Sequence, residues 1–386
     1  MDKNKLFDKF IMIFLIISPI LDFFAYVQKE YIKFPISISL IIRGLFLLII
    51  FIYLIRKQDN RKILLFFLIY FILALGSYLL RKVNIYYEIV NLLKIFYLPI
   101  MMLFFSKYTN SKIDDKFILK VYIVYIITFV IMHILKLDTQ YIPIISAILV
   151  GLLPVTLNYV MESKNYILKV VFYLLLGLIT YLIGTRLLVT GFLVVFFGVY
   201  VMRYKLEFIY NNFKRRFTII LSFIGFLVVF GIIVRFTPFY GIMKDTITSL
   251  NIHSLRDVYR FNTIDQLIFS GGLSQFADIM KDFIKGGYDT IMYGLGWNGV
   301  ETLTKIDPFD ILVTTGIFGS AIFIIMFTYV NFRTELKKEH YYSYVMFLAI
   351  AVFAGRTLLY PSVSLFIAVL YLVSANSIKI EKKKYS

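Results

Sequence analysis

There is no cysteine in the 386 residues, which removes disulfides, thiol nucleophiles and cysteine-based metal sites together. Any segment outside the main core must be ordered by packing and hydrogen bonds. Polar sequence is scarce as well: 60% of residues are hydrophobic and 17% charged, with a mean hydropathy of +0.83. No soluble core needs that much apolar sequence, and apolar runs of bilayer length recur along the chain. Acidic residues are outnumbered, 23 against 41 Lys and Arg, for a net charge of +18. In a soluble protein that excess would suggest nucleic acid. Here the cations sit in short clusters between apolar runs, the pattern that sets membrane orientation, so no nucleic-acid partner is expected. The wealth of Ile, Phe, Tyr, Lys and Asn is what an AT-rich genome encodes, so the 30 tyrosines are not read as sugar-stacking platforms.

The first apolar run, residues 10–27, follows Lys3, Lys5 and Lys9. No small-residue cleavage site follows it, so it is expected to stay as an anchor. Further spans read as 36–55, 62–80, 88–106, 117–135, 143–160, 166–183, 187–202, 217–235, 310–331, 341–355 and 360–376. That makes twelve transmembrane helices in an all-α membrane protein, broken within the long apolar stretches at 184–186 and 355–361. Three parts result: spans one to nine over 1–235, an extracytoplasmic loop over 236–309, and spans ten to twelve with a basic tail over 310–386. Lys and Arg number 24 on the side of the termini against seven in the short loops opposite. This imbalance puts both termini in the cytoplasm and the long loop outside.

With that topology the ionisable residues inside the spans share one leaflet. Asp22, Arg43 and Lys94 lie about 8–10 Å below the outer surface at the helical rise per residue, with His133, Arg186 and Arg356 nearer the edge. Asp22 and Arg43 can simply pair to lock two helices together; pairing does not explain why all the charges share one side.

In the outside loop, Ser254-Leu-Arg-Asp257 has a capping-box pattern that sets Arg256 and Arg260 four apart on one helical face. Such a pair can grip phosphate, or form a solvated face. A second, amphipathic helix is expected over 273–285, ended by Gly286-Gly287 and lying on the outer leaflet or against the bundle. Tyr293-Gly-Leu-Gly-Trp-Asn-Gly299 has no preceding strand and no following Gly-Lys-Ser/Thr, so it reads as a tight turn, not a nucleotide loop. Its tryptophan, Trp297, suits either a sugar ring or the membrane interface. Asp307 and Asp310 follow, three apart at the start of a helix, where both carboxylates can share a face or one can cap.

Outward-facing cations beside outward-facing carboxylates, at headgroup depth, suit displacement at a carbon bearing a lipid-linked phosphate. Arginine stabilises the departing diphosphate while a carboxylate takes the proton of an incoming sugar hydroxyl. Outside the membrane no nucleotide sugar is at hand, so the expected donor is a polyprenyl-linked sugar.

The chain resembles the O-antigen ligase and polysaccharide polymerase (Wzy-like) integral membrane proteins, in the form found in Gram-positive bacteria. The resemblance rests on Ser18-Pro-Ile-Leu-Asp22, Ile41-Ile-Arg43, Glu88 through Lys94-Ile-Phe-Tyr-Leu-Pro99, Ser146-Ala-Ile-Leu with Leu153-Pro154, Gly184-Thr-Arg186, and Asp307-Pro-Phe-Asp310 before Gly316-Ile-Phe-Gly319. It implies a GT-C-type bundle and metal-independent, cofactor-free glycosyl transfer from undecaprenyl-diphosphate glycans in the bacterial plasma membrane, alongside other polysaccharide-assembly proteins. Asp307, Asp310, Arg186 and Arg356 are the catalytic candidates; Arg256, Arg260, Arg43, Lys94, Asp22 and Trp297 are the substrate-binding ones. Departures from the family pattern are Ser270-Gly271-Gly272 where an arginine often stands, Lys305-Ile306-Asp307 where a carboxylate is lost, and Gly355-Arg356 in place of Gly-His. Arg256 or Arg260 can stand in for that arginine, and the proton acceptor falls on Asp307 or Asp310. A polymerase is the leading expectation. A ligase, a flippase or secondary transporter, and an inactive assembly partner are the alternatives, although no internal repeat supports transport.

Overall fold

The computed structural model describes residues 3–28, 38–56, 61–82, 84–108, 110, 112–135, 142–183, 272–296, 306–333, 338–353 and 358–385, with 241, 244, 248 and 260. Among these the regular structure is entirely helical. The helices are α1 (Lys3–Val27), α2 (Ile38–Arg56), α3 (Arg61–Leu80), α4 (Ile85–Lys107), α5 (Asp115–Ile134), α6 (Ile142–Glu162), α7 (Tyr166–Ile183), α8 (Gly272–Lys285), α9 (Gly287–Tyr293), α10 (Asp307–Arg333), α11 (Lys338–Phe353) and α12 (Pro361–Tyr385). Six of them are long and apolar enough to cross a membrane: α2, α3, α4, α5, most of α6 and most of α10. Shorter apolar stretches lie in α7, α11 and α12. The chain is thus an all-α, multi-pass membrane protein. Spans expected at 187–202 and 217–235 lie outside the described residues.

Local sequence sets the helix ends. The Asp114 carboxylate accepts from the Phe117 amide at 2.9 Å and caps α5. The Asn165 side chain does the same for α7 by accepting from Ile167 and Leu168. The Ile38 amide, first in α2, donates to the Gln28 side chain at 2.8 Å. Pro361 opens α12, where a missing N–H costs nothing.

Among the described helices, α4, α6 and α12 form the centre. Every residue of α12 from 361 to 375 is buried, as a helix apolar on all sides requires, and it packs along α4, α6 and α11 with a lesser contact to α1. α4 meets α2, α3, α10 and α12, and its second half, from Ile95 to Phe105, is buried throughout. α1, α2, α3, α5 and α10 form the surround, and their outer faces leave Leu45, Leu48, Phe66, Ile72 and Ile325 exposed, as lipid contact demands.

The amphipathic helix expected over 273–285 is α8, and it lies against the bundle. Phe276 stacks on Phe309 of α10 with ring centroids 4.0 Å apart, and Phe283 is buried. Its opposite side carries the exposed ion pair Asp278–Lys281. Gly287, at a positive φ of 80°, starts α9 after the break.

Candidate functional site

α10 begins at Asp307, three residues earlier than the apolar pattern alone suggests, so Asp307 and Asp310 both fall in its first turn. Both are fully buried. The Leu358 amide, just before α12, donates to Asp307 Oδ2 at 2.7 Å. The Phe309 and Asp310 amides bond back to the Ile306 carbonyl, and the Asp310 carbonyl accepts from the Thr314 hydroxyl. These two carboxylates therefore sit inside the protein, beneath α8.

The half-helix that carries them is short. At Gly316 the backbone leaves the helix, with φ 70° and ψ −176°, and α10 resumes beyond. That conformation is open essentially to glycine alone. A Cβ at Gly316 would also run into the Met292 carbonyl and the Gly294 amide. A break inside a span frees carbonyls that lipid cannot satisfy, and here those of Val313, Thr314 and Thr315 have identified donors. The Leu295 amide bonds Val313 O at 2.8 Å, and the Gly296 amide bonds Thr314 O at 3.2 Å. From α3, the Tyr78 hydroxyl donates to Thr314 O and Tyr293 O, and the Tyr70 hydroxyl to Thr315 O. The tight turn expected at Tyr293-Gly-Leu-Gly is thus a clasp, with Gly294 and Gly296 at φ 84° and 76°. Buried Glu88 of α4 lies beside Gly296.

The second cluster joins α1, α2, α5 and α12. Asp22 and Arg43, each 7% exposed, form an ion pair at 2.6 Å. Arg43 Nη2 also reaches the Ser18 carbonyl at 3.3 Å. Tyr125 donates to Asp22 Oδ2 at 3.0 Å, and the Ser362 hydroxyl to Oδ1 at 3.2 Å. Asp22 is five residues from the end of α1 and Arg43 five from the start of α2, about 8 Å in at the helical rise. The helix-locking reading of this pair is what the structure displays. Lys94 lies nine residues into α4, deeper at about 14 Å, and donates to Asn91 Oδ1 at 3.3 Å. It shares with Arg43 a cavity of about 190 Å³ between α2 and α4.

The stretch from Leu358 to Ser362 connects the two clusters, since its first residue holds Asp307 and its last holds Asp22. Four of the sequence-selected residues, Asp22, Arg43, Asp307 and Asp310, thereby gather where the end of α1 meets the starts of α2, α10 and α12, while Lys94 lies deeper than the sequence arithmetic puts it and shares only the cavity with Arg43. Arg260 is exposed in a bend. Arg186, Arg256, Arg356 and Trp297 lie outside the described residues. Among those described, no group of three His, Asp or Glu is placed to hold a metal ion.

Sequence reasoning missed Tyr125 and Ser362 around Asp22, and Tyr70 and Tyr78 at the break. A signal for the break was present: Thr314-Thr-Gly316 in the middle of an apolar span. No family model, curated protein or solved structure matches the chain.

Proposed function

We propose that the protein is a glycosyltransferase that joins undecaprenyl-diphosphate-linked repeat units into capsular or exopolysaccharide at the outer face of the bacterial cytoplasmic membrane. The observation that supports it most is the burial of Asp307 and Asp310 in the first turn of a broken span, under a docked amphipathic helix. A carboxylate shielded from bulk water there can take the proton of an acceptor hydroxyl. The hydroxyl oxygen bonds to the sugar's anomeric carbon, the bond from that carbon to the diphosphate breaks, and the diphosphate leaves on its lipid. Arg186 and Arg356 are assigned the charge on the leaving group, with Arg256, Arg260 and Trp297 holding the glycan. The proposal includes twelve spans, a GT-C-type bundle and cytoplasmic termini.

The test is to delete the gene, complement it with wild type, Asp310→Asn or Arg186→Ala, and extract lipid-linked intermediates. Single repeat units should accumulate with both variants at normal protein abundance. Normal long polymer from both would remove this site. Long chains that stay lipid-linked in the deletion would instead assign a ligase.

One observation favours a transporter: the discontinuous helix at Gly316, since broken helices with irregular backbone at membrane depth are a transporter device. Movement of a lipid-linked oligosaccharide across vesicles containing the purified protein would select that reading.

A further inference from the structure

The turn after α3 carries two cations that belong to neither polar cluster. α3 ends at Leu80 with Arg81 and Lys82 next, at the end of a span that the charge count assigns to the outer surface, where lipid phosphates lie. The Arg81 guanidinium is held from two sides. Its Nε and Nη2 donate to the Ser77 carbonyl and hydroxyl at 3.4 and 3.2 Å, and Cζ stands 5.1 Å from the centre of the Tyr78 ring. It is half-buried, and no carboxylate pairs with it among the described residues, buried Glu88 included. Lys82 is exposed at φ 58°, the only positive φ outside glycine among those residues. Its amide donates to Leu79 O at 3.0 Å and closes α3. Glycine or asparagine usually takes that backbone, because a Cβ is strained there. The backbone asks for no side chain, and the sequence supplies a cation.

The turn is tied to the buried carboxylates. Arg81 covers the ring whose hydroxyl donates to Thr314 O and Tyr293 O. α3 and the half-helix are antiparallel, since Tyr70, eight residues inward of Tyr78, meets Thr315 and Phe318. Outward from the Tyr78–Thr314 bond, Arg81 is three residues on and Asp310 four. The two therefore lie within about one helical turn in depth, on neighbouring helices about 8–10 Å apart.

We propose that Arg81 and Lys82 hold the diphosphate of the acceptor, a second lipid-linked repeat unit, with Arg81 Nη1 and Lys82 Nζ donating to its phosphate oxygens. The site rests on the polymerase reading: joining two lipid-linked units brings two diphosphates to the outer surface, and Arg186 and Arg356 take the departing one. A diphosphate diester carries a negative charge on each phosphate and so matches both cations, where a phospholipid phosphodiester leaves one unmatched. The separation from Asp310 is that of a short oligosaccharide, so the hydroxyl at the far end of the acceptor reaches the carboxylate.

The full-length protein in phosphatidylcholine nanodiscs, loaded with undecaprenyl-diphosphate-linked N-acetylglucosamine and released for native mass spectrometry, is expected to carry two copies of that lipid. The two-copy population should fall about tenfold in Arg81→Gln and about threefold in Lys82→Gly, and stay unchanged in Lys281→Gln on the exposed face of α8. Because glycine suits the backbone at 82, Lys82→Gly should melt no lower than wild type while binding less, which a purely structural turn would not show. Should Arg81→Gln fail to fold, Lys82→Gly carries the test. A wild type with no more than one copy, or unchanged two-copy populations in both variants, overturns the proposal. So does an equal loss of phosphatidylglycerol from the same variants when that lipid is loaded instead, which would make the turn a headgroup contact. In cells, single repeat units accumulating with Asp310→Asn beside normal polymer from both turn variants would overturn it and leave the polymerase reading standing.

Discussion

Replacing Arg43 with Met should cost more than replacing Arg43 and Asp22 together. The two side chains are less than a tenth exposed and meet at 2.6 Å. Removing the cation alone leaves a carboxylate buried against Tyr125 and Ser362, a loss of about 3–5 kcal/mol in comparable pairs. Asp22→Leu alone strands the guanidinium and should cost a similar amount. In Asp22→Leu/Arg43→Met neither charge remains. The Tyr125 and Ser362 hydroxyls lose one acceptor each, together about 3 kcal/mol at the middle of the usual range, which is smaller than the middle of the charge penalty. The double variant should therefore be more stable than either single one, with a coupling of about 2 kcal/mol or more. Thermal unfolding in detergent, followed by loss of the helical circular dichroism signal, reads all four proteins. Losses that add within about 0.5 kcal/mol would refute the reasoning. Under the polymerase proposal, measuring polymer from the double variant then separates roles: recovered stability without recovered polymer would give the pair a task beyond holding α1 to α2.

Tyr78→Phe removes the donor to Thr314 O and Tyr293 O and should cost about 1–3 kcal/mol; hydrogen exchange at the Leu295 and Gly296 amides should speed up, and unchanged exchange would count against the clasp. Gly316→Ala forces a side chain into a backbone region and a space that both exclude it, costing about 3 kcal/mol or more, so little folded protein should be recovered after extraction. Asp307→Ala strips the buried Leu358 amide of its acceptor and should lose about 1–3 kcal/mol, whereas Asp307→Asn keeps an oxygen there and should lose clearly less in the same melt. Phe276→Ala deletes the stack on Phe309 and should loosen α8, seen as faster exchange over that helix with the transmembrane amides unchanged.

The membrane character and most helix positions were legible in the sequence for a simple reason. Apolar runs of bilayer length have one physical solution, so composition and spacing alone place α2 through α7, and the charge clusters between them suggest a direction. Asp22 and Arg43 were legible as a pair because ionisable groups in spans seldom stand alone. Their remaining partners were not. Tyr125 and Ser362 are ordinary residues of membrane helices, 103 and 340 positions from Asp22, and only the packing of α5 and α12 against α1 makes them ligands of that carboxylate. The break at Gly316 was hidden for the opposite reason. Thr314-Thr-Gly316 is too short a polar step to interrupt the surrounding apolar run, so the window-averaged hydropathy continues where the hydrogen-bond ladder stops.

That break ties the segment of α9 and the turn after it to the interior. Because Val313, Thr314 and Thr315 present their carbonyls to the Leu295 and Gly296 amides and to two α3 tyrosines, the half-helix with Asp307 and Asp310 is held by the loop and by α3 at one end. At the other end it is held through Leu358, four residues before the serine that reaches Asp22. Buried polar groups in a span are costly to leave unmade. A displacement of the clasp must therefore either break several such bonds or carry the half-helix along. The second keeps the clasp intact and strains instead the Leu358–Asp307 bond, so it shifts both carboxylates relative to the Asp22–Arg43 pair. The clasp is thus mechanically continuous with the carboxylates, and whatever displaces it would alter their position directly.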